Sequence, residues 1–210
     1  MSSTSVRPAP IDPSAWDEEI LDGLGAFPKS LQFVLNDWNG GEKVARGQYA
    51  LGVWAHHPVL AKAFMTLNAH VASASTLDVR VRELLILRAA WLRKSEYEFQ
   101  QHVILGKRAG LTDAELEWLK QGSSAAGWPV ADALIVKVAE DLCNHARISD
   151  AVWAELVPHY STQQIMDMIG LFGCYDLLGM MIGCFDTPLE PELPAFDDAT
   201  RARMMAGSCS

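Results

Sequence analysis

Residues 80–110 read RVRELLILRAAWLRKSEYEFQQHVILGKRAG, and the two halves of this stretch specify two consecutive helices. From Val79 to Leu92 the apolar side chains are nearly continuous, bounded by Asp78 and Lys94. A run of that length without alternation predicts a buried helix rather than a strand. Ser95 with Glu98 three residues on has the form of a capping box and opens the next helix. Gly110 supplies the left-handed residue at which that helix should stop.

The same signals extend outward. Pro58, after His56-His57, suits the first turn of a helix over residues 58–72. Thr112 and Glu115 form a second capping box, opening a short helix that ends near Gly122. Residues 131–146 read as an amphipathic helix, and residues 150–157 as a shorter one stopped by Pro158. Ser161 and Gln164 cap a long apolar helix over residues 162–184, which contains Gly170, Gly173, Gly179 and Gly183. Glycine within a helix costs up to ~1 kcal/mol relative to alanine, so close helix approach, within the protomer or across an oligomer interface, is expected to compensate. Strand patterning is almost missing. The fold class is therefore all-α, a single-domain helical bundle over residues 15–185. Residues 1–14 are expected to be a disordered N-terminal segment. Residues 186–210, with Pro188, Pro191 and Pro194, are expected to form an acidic, extended C-terminal arm.

Composition narrows the function. The 210 residues favour one domain, and the net charge of −9 comes with no clustered basic face. Nucleic acid is therefore not an expected partner. No apolar run is found that reaches the ~18 residues of a membrane span, so a membrane is not an expected partner either, and the N-terminus lacks the apolar segment of a signal peptide. A cytoplasmic protein is the expectation. Cys143, Cys174, Cys184 and Cys209 form no C-x-x-C pair and match neither a zinc ribbon nor a disulfide framework. Reduced core thiols are expected, apart from Cys209 in the tail.

Three residues could carry chemistry. Glu83 shares a helical stripe with Val79, Ile86, Leu87 and Ala90, where a carboxylate is costly unless paired or protonated. Arg80, one turn earlier, is the expected partner. On the residues alone a buried ion pair is slightly favoured over catalysis. Glu98 and His102 are four residues apart on one helix face. A carboxylate within reach of an imidazole orients the ring and tunes its proton affinity. Yet Glu98 could simply complete the cap at Ser95, and His102 could be an ordinary core histidine. Judged alone, that structural reading is the stronger.

The spacing of these residues resembles the alkylhydroperoxidase D-like and carboxymuconolactone decarboxylase superfamily. In that family a glutamate precedes a C-x-x-C pair, and a histidine follows the second cysteine by four residues. Glu83 falls on the glutamate and His102 on the histidine, while Ser95 and Glu98 stand where the cysteines would be. The likeness covers about residues 45–185, including His57-Pro58, Leu77-Asp78 and Ala109-Gly110-Leu111-Thr112. Without the cysteines, thiol peroxidase activity is the disfavoured alternative, since it needs a thiolate and a resolving thiol.

The resemblance implies a cofactor-free lyase or decarboxylase acting on a small anionic unsaturated lactone or keto acid, in a homo-oligomer (dimer, trimer or hexamer). His102 is assigned as general acid or base, Glu98 as its orienting group and Glu83 as a second proton carrier or orienting group. Tyr97 is assigned to substrate hydrogen bonding, and one of Arg46, Arg80 or Arg82 to an anionic substrate group. Trp54, Phe64 and Trp91 are offered as pocket lining, although aromatics at this spacing are more often plain core. Two other readings stay open: a non-catalytic helical oligomer, and a metal site of Glu83, Glu98 and His102 with His56 or His57. The metal reading is weakened because the second half has no matching E-x-x-H ligand pair.

Overall fold

The structure, a computed structural model, describes residues 7–207, so Cys209 and the first six residues of the expected disordered segment lie outside it. In chain order the helices are α1 (Glu18–Leu24), α2 (Pro28–Trp38), α3 (Gln48–Trp54), α4 (Pro58–Ala69) and α5 (Val79–Leu92). They continue with α6 (Glu96–Arg108), α7 (Asp113–Gln121), α8 (Val130–His145), α9 (Asp150–Leu156), α10 (Thr162–Cys184) and α11 (Asp198–Ala206). No strand occurs among the described residues.

Side-chain caps set most of the boundaries. Thr112 and Glu115 complete a reciprocal capping box at α7, and Ser161 and Gln164 exchange the same two bonds ahead of α10. The box expected at α6 is only half formed. Ser95 accepts from the Glu98 N–H, but the Ser95 N–H donates to the Ala90 carbonyl, leaving the Glu98 side chain free for another use.

The helices gather into two compact units: the described residues up to Ala69 with Met180–Leu193, and His70–Gly179 with the described residues from Pro194 on. In the first unit α1 packs on α4. The N-terminal segment is held there from Ala9 onward, since His56 Nε2 bonds the Ala9 carbonyl and the Ile11 N–H donates to the Gly52 carbonyl. That approach needs glycine, because a Cβ at Gly52 would lie 2.7 Å from the Ile11 carbonyl oxygen. Glu190, itself buried, accepts from the Gly47 and Tyr49 N–H groups.

In the second unit α5 is the central helix, packed against α6, α7 and α8. Arg80 bridges Glu115, Asp132 and the Gly110 carbonyl, and Arg88 pairs with Glu140. From Pro194 on, the C-terminal arm is not extended along its whole length. Asp197 caps α11, Arg201 pairs with Glu96, and Phe196 packs beside Trp91 and Phe99 under the Lys120 ammonium. The prolines thus lead into an Asp-capped helix rather than a continuous extended arm.

Helix α10 is long and apolar enough, by length and composition, to cross a membrane, with a mean hydropathy of 1.6. Counting only uninterrupted apolar runs hid this, because Asp167 and Asp176 break the run. Both carboxylates are engaged inside the second unit, Asp176 by Arg93 and Asp167 by the chain that precedes α5. There the α4 helix gives way to a π-helical turn over His70–Ala74. Asp167 gathers His70 Nε2, the Ser75 hydroxyl, and the Thr76 hydroxyl and N–H. Partial burial alone would raise its pKa, but the bonds from His70, Thr76 and Ser75 outweigh it and lower the pKa to about 2.

A depressed carboxyl pKa stabilises the fold above the unfolded-chain value and loses that contribution as pH falls through the folded one. Asp167→Asn should therefore cost about 1–3 kcal/mol at pH 7. In urea titrations the gap from wild type should close between about pH 5 and pH 2.

Candidate active site

The buried Glu83 and His102 meet across the α5–α6 pair, with His102 Nδ1 2.8 Å from Glu83 Oε2. An ionised carboxylate can only accept, so the ring hydrogen in this bond lies on Nδ1. That leaves Nε2 as a base in neutral imidazole and an acid in imidazolium. Nε2 has no hydrogen-bond partner among the described residues.

Both side chains line a cavity of about 280 Å³ in the second unit. Its apolar wall comes from Val71, Val79, Ile86, Leu105 and Leu171, and its polar groups besides the pair are Arg82, Arg108 and Tyr175. The π-helical turn shapes one side, where Arg82 Nη1 donates to the Val71 and Ala72 carbonyls. The Arg82 Nε is buried and has no partner. Tyr175 sets its ring edge-on to His102, with centroids 4.9 Å apart and planes at 86°.

The charge pattern singles this cavity out. Arg7, Arg80, Arg88, Arg93, Arg147, Arg201 and Arg203 each reach a carboxylate. Arg82 and Arg108 have no ion pair among the described residues, and both line this cavity. In a chain of net charge −9, two unpaired guanidiniums beside one apolar space make it the natural seat for an anion.

Several expectations change in the structure. The partner of Glu83 is His102, because Arg80 is occupied by Glu115 and Asp132. Arg80 is therefore a structural bridge, away from the cavity. Arg46 belongs to the first unit, over the Phe33 ring. Tyr97 is buried and is not among the residues that line the cavity. Trp54 stacks on Phe64 in the first unit, and Trp91 packs against Phe99, so these aromatics serve the core. Arg108 and Tyr175 were missed. Leu105 and Arg108 continue the His102 face at steps of three, a signal that was available, whereas Tyr175 lies on a distant helix.

Glu98 takes a different place from the one expected. It is fully buried and does not line the cavity. One of its oxygens has no hydrogen-bond partner. The other lies over Gly179, where a Cβ would sit 2.6 Å from it. That close approach accounts for one of the four glycines of α10, whereas Gly173 and Gly183 have nothing within 4 Å. Burial, opposed by the bond with Ser95 and aided by Asp176, raises the Glu98 pKa to about 8. Its neighbour Cys174 is pushed to about 12, first by burial and then by Glu98, so this thiol does not form thiolate near neutral pH. Cys184 is exposed, and no cysteine lines the cavity. Cys143 is disulfide-bonded, which corrects the expectation of a reduced core thiol there.

Among the described residues no group of three or more His, Cys, Asp or Glu side chains could hold a metal ion. His56 is bonded to the Ala9 carbonyl, and His57 Nδ1 accepts from the Leu60 N–H, both in the first unit.

The second unit is thus all-helical, with a buried carboxylate–imidazole pair on consecutive helices and no cysteine among the residues that line its cavity. Residues 58–141 match the carboxymuconolactone decarboxylase family model. No curated protein matches the sequence significantly. Among solved structures, the chain resembles a protein of unknown function from Agrobacterium tumefaciens, described as a candidate antioxidant defence protein AhpD. The TM-score is 0.60 at 19% identity, over 65% of this chain and 94% of that one. It also resembles the debrominase Bmp8, with a TM-score of 0.65 at 13% identity over 96% of this chain and 97% of that one. A cysteine-to-alanine variant of Bmp8 in complex with 2,3,4-tribromopyrrole matches equally, at 14% identity over 96% of each chain. These likenesses establish a shared fold.

A carboxyl held neutral by burial contributes full stability below its unfolded pKa and loses that contribution as pH rises through the folded value. For Glu98 the loss runs from about pH 4.5 to about pH 8. Glu98→Gln should therefore raise the melting temperature over wild type, by several degrees more at pH 8.5 than at pH 5. A constant difference across that range would show that Glu98 is already ionised in the folded protein.

Proposed function

We propose that the chain is a cofactor-free lyase of the decarboxylase type, acting by proton transfer on a small anionic unsaturated lactone or keto acid. The observation that carries this reading is the Glu83–His102 pair opening onto an apolar cavity with two unpaired guanidiniums. Such a substrate carries its own electron sink, a carbonyl conjugated to the reacting carbon. The protein has to hold the anion, exclude water and deliver a proton.

Arg82, backed by Arg108 at the cavity wall, holds a carboxylate that stays on the substrate. A carboxylate clamped by arginine is stabilised as an anion and is poorly disposed to leave. The departing group therefore belongs against the aliphatic wall of Ile86, Leu105 and Leu171, where loss of charge is favoured. The carbon–carboxylate bond breaks, carbon dioxide leaves, and the electron pair passes into the conjugated carbonyl to give an enolate. The His102 imidazolium then delivers its Nε2 proton to carbon, and the Glu83 carboxylate at Nδ1 stabilises the cation before transfer. The same pair, started from neutral imidazole, serves isomerisation, in which Nε2 first removes a proton. Peroxide reduction has no support at this cavity, because no thiol lines it.

Carbon dioxide release and double-bond shift, screened over unsaturated lactones and keto acids, provide the assay. For a substrate found in this way, His102→Ala should lower kcat by about 10²–10⁴-fold while the fold is retained. Activity within a few fold of wild type would overturn the assignment. Arg108→Ala removes an exposed side chain with no ion pair, so stability should be unchanged. KM should rise about tenfold or more, the ~1.5–3 kcal/mol of a hydrogen bond to a charged group.

A further inference from the structure

Tyr175 is the polar group of the cavity that the preceding reaction scheme leaves unused. Its side chain lines the cavity and its ring stands edge-on to the His102 imidazole. The hydroxyl makes no hydrogen bond to any described residue. Enclosed phenols ordinarily find a partner, so an unbonded hydroxyl beside a cavity is a donor held for a ligand. Burial first, then the carboxylate of Glu83, keep this phenol protonated far above its ordinary range, with Arg82 opposing only in part. It is thus a neutral donor at any working pH. Apart from Tyr175, the two arginines and the Glu83–His102 pair, the residues that line the cavity are all aliphatic.

We propose that Tyr175 is a catalytic residue that donates its hydroxyl hydrogen bond to the enolate oxygen formed when carbon dioxide or a proton leaves the substrate. The inference rests on the proton-transfer reading and adds a division of labour. The arginines recognise the permanent anion, His102 handles the proton at carbon, and Tyr175 meets the charge that appears only as the reaction proceeds. Its bond strengthens from carbonyl to enolate, the differential interaction that lowers a barrier. The phenol keeps its own proton, so His102 remains the sole source of the hydrogen delivered to carbon. Position also suits the role, because the ring stands edge-on to the imidazole and both residues line the same cavity.

Two probes of similar size separate the functions. Tetronic acid is a ring enolate at neutral pH, and 2-furoate is a ring carboxylate. Wild type should bind both in calorimetry. Tyr175→Phe keeps the ring against His102 and should weaken tetronate at least tenfold while leaving 2-furoate within threefold. With a substrate in hand, the same variant should lose about 10²–10³ in kcat with little change in KM. Equal weakening of both probes, or of neither, would overturn the role of Tyr175 while leaving the anion site standing. If wild type bound neither probe, the proton-transfer reading itself would fall, and the role of Tyr175 with it.

Discussion

A carboxylate and an imidazole enclosed at an apolar helix interface must satisfy one another, and the Glu83–His102 bond does so. Removing either partner would leave a buried polar group without compensation. The arrangement of the second unit follows from this requirement. Helix α5 has to carry Glu83 on a face otherwise filled by Leu84, Ile86 and Leu87, and α6 has to present His102 at the matching height. The stop at Lys94, which adopts a left-handed backbone, and the half-formed cap at Ser95 set the turn that allows it.

The surrounding electrostatics are consistent with a ligand site rather than a structural network. A network with a purely structural purpose would satisfy all its members. Around this pair Nε2 of His102, Nε of Arg82 and the Tyr175 hydroxyl have no partners among the described residues, and all three residues border one cavity. Other charged groups of the second unit are fully engaged: Arg80 serves two carboxylates at once, and Asp167 collects four donors. Unmet polar groups that border a cavity beside a buried carboxylate–imidazole pair are the physical mark of a place where something binds. Glu98 provides the contrast. It is also buried and incompletely bonded, but it avoids the cost by holding its proton, and it packs against a glycine instead of a cavity.

Much of this was legible in the sequence, and the reasons for the rest are specific. Helix positions followed from apolar periodicity and caps, so α5, α7 and α10 formed where residues 79–92, Thr112 and Ser161 placed them. Glu83 and His102 could be singled out because a charge on an apolar stripe is costly wherever it occurs. What periodicity could not supply was the partner. Spacing along one helix joined Glu98 to His102 and Arg80 to Glu83, while the fold joined Glu83 to His102 across two helices. Side chains four residues apart are only possible neighbours, and tertiary packing decides which bond forms. Tyr175 was invisible for the same reason, since nothing local to residues 162–184 shows that this phenol meets an imidazole some seventy residues earlier. The caps misled once as well: Ser95 and Glu98 fit the capping-box pattern, yet the carboxylate turned inward.

The central claim is that Glu83 fixes the His102 ring so that Nε2 faces the cavity as the proton-transfer atom. The ring nitrogen chemical shifts of ¹⁵N-histidine-labelled protein test it most directly, with His102 assigned through a His102→Gln control. The account predicts that neutral His102 carries its hydrogen on Nδ1, that this signal shifts in Glu83→Gln, and that added 2-furoate perturbs Nε2. Finding the hydrogen on Nε2, with no response to Glu83→Gln, would contradict the account and return the pair to an ordinary core contact.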